Sequence, residues 1–305
     1  MEGLIGLIGL GTIGAPLAHK LYNKYGDRFV LFADYKHKEK LTQQPVFING
    51  DLFNPVIVTA EEKLSESIEL LIICVKNYDL EGIIPSILPR ITKETVILPL
   101  QNGVYSHSFF SNLFPNNLVL KGFIQGPNTQ LVSGSFIYNN PGAIYLGSES
   151  NQQRVYEIYE LLYAANEQVF YAEDIDRLVW KKWMLNVAGN SITALTGADY
   201  SLFKKFTDLD EICGAAMREF LLIAEKENVV LTNEDIEDIL AYYRGYNGRK
   251  KTSMLVDVEK GRKTENEFLA GTAVRIAEKH NVAVPIIETL YRLIRIKEAV
   301  YLSEA

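Results

Sequence analysis

Two cysteines in 305 residues, Cys74 and Cys213, are too few for a disulfide framework. Cys74 falls in an apolar, strand-like run and Cys213 in a helix-like stretch, so the cytoplasm is the expected compartment. Histidine is as scarce. His19, His37, His107 and His280 lie far apart with no metal-ligand spacing, and no metal is expected. Long hydrophobic runs are absent too: residues 3–10 are apolar but too short to span a bilayer, and they read as a strand, not as a signal peptide. The lysines are scattered and the formal charge is −7, which argues against a nucleic-acid surface. Neither nucleic acid nor membrane is therefore an expected partner. An anionic small molecule stays compatible, because local rather than net charge decides its binding.

The chain carries an apolar segment that runs straight into Gly-x-Gly-x-x-Gly, with a helix-compatible stretch after it. Gly9 permits a tight turn off the first strand, Gly11 lets backbone approach a pyrophosphate with no Cβ in the way, and Gly14 lets helix and strand pack closely. The loop Gly9, Leu10, Gly11, Thr12, Ile13 and Gly14 is thus expected to hold a dinucleotide on the N-terminus of a helix, whose dipole favours negative charge. Pro16 suits the first helical turn, where no amide hydrogen is needed.

Strand signals follow at Phe29–Ala33, Leu70–Val75, Thr95–Leu100 and Leu118–Ile124, with amphipathic helical stretches between several of them. Continuous apolar runs of this kind suit a parallel sheet covered on both faces. Val46–Ile48 and Val56–Val58 flank Asn49-Gly50 and read as a small hairpin; Ser135–Tyr138 and Ala143–Leu146, around Asn140-Pro141-Gly142, read as a second, antiparallel one. From about residue 172 the pattern turns to long helical periods. The length exceeds a comfortable single core, so the expectation is a dinucleotide-binding domain over 1–172 and a helical substrate domain over 173–305. The fold class is α/β, an N-terminal Rossmann-type doubly wound sheet with an all-α C-terminal domain.

The end of the second strand decides between dinucleotides. Asp34 stands where an acidic residue accepts hydrogen bonds from the adenosine ribose of NAD, while Lys36 and Lys38 nearby could pair with the 2′-phosphate of NADP. Asp34 alone leans towards NAD(H).

Residues 179–195 form a strong helical period with Trp180, Trp183, Met184, Val187, Ser191 and Leu195 on one side. On another side Lys182, Asn186 and Asn190 recur every four residues. A solvated face usually carries Glu, Lys and Arg, so stacked asparagines beside a glycine suggest a row facing a ligand. An ordinary surface stripe is the bland alternative. In the functional reading Lys182 donates a proton to a carbonyl oxygen, its pKa lowered by partial burial beside tryptophan. Further on, Ser253 and Asp257 are one helical turn apart, and Thr264 is placed to cap the next helix with Glu265 in its first turn. Lys76 and the segment Gln101-Asn102-Gly103 lie just past the carboxyl ends of strands, where ligands of such sheets bind.

Taken together, these motifs resemble the ketopantoate reductase (2-dehydropantoate 2-reductase) family over essentially the whole length. The matching motifs are Gly-Leu-Gly-Thr-Ile-Gly at 9–14, Cys-Val-Lys at 74–76, Leu-Gln-Asn-Gly-Val at 100–104, Pro-Gly-Ala-Ile-Tyr-Leu-Gly at 141–147, Trp-Lys-Lys-Trp-Met-Leu-Asn-Val-Ala-Gly-Asn at 180–190, Thr-Ser-Met-Leu at 252–255 and Gly-Arg-Lys-Thr-Glu at 261–265. The resemblance implies that Lys182 is the general acid, assisted by Glu265, and that Asn186 and Asn190 contact substrate. It further implies that Ser253 meets the substrate carboxylate, that Lys76 and Asn102 reach the cofactor and the reacting end, and that Glu265 borders the cofactor. The implied reaction is reduction of 2-dehydropantoate to (R)-pantoate with NADP(H), on the route to pantothenate and coenzyme A. The substrate partner is then a small 2-oxoacid, and a homodimer is left open. Departures are equally specific: Lys250 stands where the family commonly has asparagine, three residues before Ser253, and Asp34 is awkward for an NADPH enzyme. Some members of the family are NAD-dependent (R)-2-hydroxyacid dehydrogenases acting on branched or aromatic 2-oxoacids. A non-catalytic dinucleotide sensor is the alternative of another class, and it would have no need of the retained lysine.

Overall fold

The computed structural model describes residues 3–64 and 66–303; the outermost residues of both expected domains lie outside them. The chain divides into two compact units, one of residues 1–101 with 106–175 and one of residues 102–105 with 176–305. The segment 102–105, placed with the first domain by the sequence pattern, clusters with the second unit.

The first unit is built on a five-stranded parallel sheet in the order Val56–Val58, Phe29–Phe32, Leu4–Ile8, Ile68–Ile73, Val96–Pro99. The three strands Leu4–Ile8, Phe29–Phe32 and Val96–Pro99 are buried along their entire length, as a sheet covered on both faces requires. Helices Gly14–Tyr25, Tyr35–Gln43 and Leu80–Ile87 make the connections. The chain first winds outward from Leu4–Ile8 in one direction and then returns to its other side with Ile68–Ile73. The carboxyl ends of these two central strands therefore form the topological switch point, where open α/β sheets bind ligands.

Both hairpins differ from the sequence expectation. Asn49 and Gly50 have φ of 52° and 88°, the two-residue geometry that joins strands with no spacer. The strand Val46–Ile48 accordingly pairs with Asp51–Phe53, the residues directly after the turn, and Val56–Val58 goes instead to the edge of the parallel sheet. Ser133 and Gly134 repeat the device with φ of 48° and 82°, folding Asn128–Val132 against Ser135–Asn140. Ala143–Gly147 does not pair with Ser135–Asn140; beyond Pro141-Gly142 it joins a separate sheet, antiparallel to Lys121–Gln125 and parallel to Val169–Tyr171. The apolar run 118–124 is split between two sheets. Leu118 and Leu120 bond to Ile97, and the strand proper begins at Lys121.

The second unit is helical. Trp183, Phe220 and Tyr243 are buried without remainder at its centre, and Trp180 packs edge-on against Trp183 and Phe220. The expected helix over 179–195 is interrupted. An α-helix over Ile175–Leu185 widens into a π turn at Asn186–Asn190 and resumes as Ser191–Thr196, ending on Gly197 with φ of 75°. The buried Asp235 carboxylate takes Arg177 at 2.6 Å and Lys181 at 2.9 Å, tying the Asn233–Gly245 helix to this one. Among the described residues no helix is long and apolar enough to cross a membrane.

Candidate active site

In the first unit the glycine loop leaves the strand Leu4–Ile8 at the switch point. Gly9 has φ of 104°, and a Cβ there would come within 2.5 Å of the Val75 nitrogen; at Gly14 it would meet the Gly9 carbonyl oxygen at 1.9 Å. Both positions admit only glycine, one for conformation and close approach, the other for helix-to-strand packing. Gly11 differs. A side chain there would meet nothing within 4 Å, and the residue is exposed at the start of the Gly14–Tyr25 helix. Unpaired first-turn N–H groups of a helix, beside a residue with no side chain, fit a pyrophosphate. Leu10, Thr12 and Ile13 complete the loop. Lys76 follows the strand Ile68–Ile73 at the same end of the sheet, half-buried, and the Gln101 side chain donates to the Ile73 and Val75 carbonyls at 3.2 and 3.0 Å, fixing the backbone just before Lys76.

Asp34 ends the second strand and caps the helix Tyr35–Gln43, accepting the His37 backbone N–H at 2.7 Å. That bond, reinforced by the His37 ring at 2.8 Å, holds the Asp34 carboxyl below the ordinary carboxylate range, so it is anionic at neutral pH. Lys38 donates to the Ile57 carbonyl at 2.9 Å and pairs with Glu62; its ammonium is turned to the protein rather than to a ligand. Lys36 remains exposed beside Asp34.

The second unit gathers the remaining candidates. Lys182, on the last turn of the Ile175–Leu185 helix, donates to the Asn102 side-chain oxygen at 2.9 Å. Burial pushes its ammonium down to about 8, against an opposing pull from the Glu265 carboxylate. A lysine so placed loses its proton near neutrality, which an ordinary surface lysine does not. Gly103, with φ of 84°, allows the strand exit to approach Leu269 and Trp183, and this turn sets Asn102 against Lys182.

Asn186 and Asn190 are 7% and 3% exposed, which excludes the solvated stripe. The Asn190 side chain donates to the Asn186 oxygen at 3.3 Å, and the Asn186 Nδ2 is buried with no protein acceptor. An unmet buried donor is costly unless a ligand completes it. Ser253 opens the helix Ser253–Glu259 and is exposed; the cap is Thr252, whose hydroxyl accepts the Leu255 N–H at 3.2 Å and sits 2.7 Å from Thr193. Asp257 pairs with Arg262 at 2.5 Å. Glu265 is not in the first turn of a helix. Thr264 is held by Glu298, a turn spans 265–269, and the next helix begins at Ala270. Lys250 holds its ammonium over the rings of Tyr246 and Tyr200, 5.2 and 5.9 Å from their centres, while its carbonyl accepts the Tyr200 N–H at 3.0 Å.

The sequence pattern missed Gly189 and Tyr243. A Cβ on Gly189 would lie 2.0 Å from the Tyr243 hydroxyl oxygen. The only local signal was an isolated glycine inside a helical period.

A family model described as ketopantoate reductase PanE/ApbA matches residues 5–151, and its C-terminal counterpart matches residues 174–298. The chain belongs to the ketopantoate reductase family. Family membership makes it an oxidoreductase by descent, with the α/β and helical organisation described above. The 2-dehydropantoate 2-reductase of Streptococcus pyogenes serotype M3 is 25% identical over 311 residues, covering 97% of this chain and 98% of that protein. A D-mandelate dehydrogenase solved as a ternary complex with NADH and anilino(oxo)acetate superposes with a TM-score of 0.85 at 20% identity, covering 97% of this chain and 99% of the other. A dimeric ketopantoate reductase from Staphylococcus aureus superposes with a TM-score of 0.81 at 19% identity and the same coverage.

Proposed function

We propose that the protein reduces the C2 carbonyl of a 2-oxoacid, with 2-dehydropantoate and (R)-pantoate as the first substrate and product to examine. The observation that carries this reading is the Lys182 ammonium, brought to about 8 by burial and held on Asn102 beside the buried Asn186–Asn190 pair. Reduced nicotinamide, when bound, supplies the hydride. Lys182 delivers the proton as negative charge grows on the carbonyl oxygen, and its positive charge stabilises that oxygen before transfer. Asn102 orients the ammonium. Glu265 keeps it protonated long enough to act, since its carboxylate opposes the effect of burial. The Asn186 Nδ2 is directed to a substrate hydroxyl or carbonyl, and Ser253 to its carboxylate. The neutral amine left after transfer is reprotonated from solvent.

A second reading concerns the cofactor and the substrate together. An anionic Asp34 with Lys38 committed to Ile57 and Glu62 suits the ribose diol of NADH and repels a 2′-phosphate. This supports an NAD-dependent (R)-2-hydroxyacid dehydrogenase acting on branched or aromatic 2-oxoacids, the class of ligand carried by the D-mandelate dehydrogenase complex. A dimer in the cytoplasm accords with the dimeric relative and with the cysteine content. The deciding experiment measures kcat/KM for 2-dehydropantoate and for a panel of bulkier 2-oxoacids with NADH and NADPH, for the wild type and Lys182→Ala. Turnover that survives Lys182→Ala refutes the assignment of the proton donor. Dinucleotide binding with no turnover on any 2-oxoacid would leave the sensor instead.

A further inference from the structure

In an α-helix residues four apart advance by about 400°, so a row at 182, 186 and 190 drifts by roughly 40° at each step. A turn closed five residues on needs more than four residues per revolution, and a four-residue step within it falls short of a full turn. The π turn at Asn186–Asn190 therefore offsets the drift between Lys182 and Asn186, and Asn190 is brought back over the row. The 3.3 Å bond between the two asparagine side chains accords with that alignment.

Something must hold the turn wide, since a helix left to itself returns to the tighter ladder. The Tyr243 hydroxyl enters from the Asn233–Gly245 helix and donates to the Leu185 carbonyl at 3.1 Å, the last carbonyl before the π turn. Only a glycine at 189 leaves room for that oxygen. The ring itself is fully buried, stacked on Phe203 at 4.6 Å and met edge-on by Tyr200 at 5.0 Å. On the far side of the turn Thr193 accepts no such wedge; its hydroxyl bonds the Gly189 carbonyl at 2.8 Å and joins Thr252, the cap of the helix that Ser253 opens.

We propose that Tyr243 is a positioning residue for the oxoacid site: its hydroxyl, seated over Gly189, holds the Asn186–Asn190 turn open so that both asparagines stand in line with Lys182. The inference rests on the substrate role given to those asparagines above. Tyr243→Phe removes one oxygen and keeps the ring. Expected are a KM for the 2-oxoacid raised about tenfold, a kcat within about threefold of wild type, and an unchanged Kd for NADH. Gly189→Ala, which presses on the same hydroxyl, is expected to raise the same KM. In an Asn186→Ala background Tyr243→Phe should add no further rise, because the effect passes through that amide. A wild-type KM in Tyr243→Phe, or in Gly189→Ala should the first variant not fold, overturns the inference while Lys182-dependent turnover of the wild type keeps the functional reading. An additive rise in the Asn186→Ala background reduces Tyr243 to core filling. Absence of Lys182-dependent turnover in the wild type overturns both.

Discussion

Replacing Lys182 by methionine should make the protein more stable at neutral pH while abolishing its chemistry. Burial lowers the ammonium from an ordinary 10.5 to about 8; at about 1.36 kcal/mol per pH unit, keeping it charged in the folded state costs about 3 kcal/mol at pH 7. Methionine of similar length removes that cost. It also removes the donor to the Asn102 oxygen, a loss of about 1 kcal/mol. The net gain is about 2 kcal/mol at pH 7. Sign and window follow from linkage: between about 8 and 10.5 the unfolded chain binds the extra proton, so wild-type stability rises with pH there and the advantage of the variant shrinks. By about pH 9.5 the penalty is roughly 1.4 kcal/mol and the two proteins should be nearly level. Urea unfolding of wild type and Lys182→Met at pH 7 and 9.5, each fitted with a common slope, measures this directly. A variant less stable than wild type at pH 7, or a difference that does not move with pH, would show that the ammonium is solvated and the argument for a tuned proton donor wrong.

The same lowered pKa sets the rate profile: kcat/KM for reduction should fall about tenfold per pH unit above about 8, and oxidation of the hydroxyacid should rise over that range; a flat profile from pH 7 to 10 would remove Lys182 from proton transfer. Asn186→Ala deletes the buried donor that has no protein acceptor, so KM for the oxoacid should rise about 10- to 100-fold, read by steady-state kinetics with NADH saturating. Gly11→Val introduces a side chain that meets no protein atom; thermal unfolding should be unchanged within about 0.5 kcal/mol while NADH affinity, followed by fluorescence titration, drops at least tenfold. Gly9→Ala, by contrast, should destabilise the fold itself, since φ of 104° and a backbone neighbour at 2.5 Å allow no relaxation into an open space.

Local demands were legible along the chain. The glycine loop declares itself because positive φ, absent Cβ and an adjoining apolar strand are properties of a few consecutive residues, and the apolar runs report their own burial. The fold class followed from those runs alone, and so did the row of Lys182, Asn186 and Asn190 as an oddly polar side of an apolar helix. Partner choice was not legible. Alternation states that a strand is half-buried and is silent on which strand lies beside it, so Val56–Val58 and Ala143–Gly147 were assigned the wrong neighbours until register and turn geometry placed them. Thr264 offered a capping side chain to the residues after it, and a distant glutamate, Glu298, took it.

By itself, then, the amino-acid order determined where a dinucleotide loop must turn and which residue types line up for acid catalysis, because both are short-range matters of sterics and periodicity. Tertiary packing decided what those residues became. The loss of water around Lys182, the carboxylate opposing it and the tyrosine that spreads the helix at Leu185 come from segments 58 to 83 positions away along the chain, and proximity of that kind has no local signature.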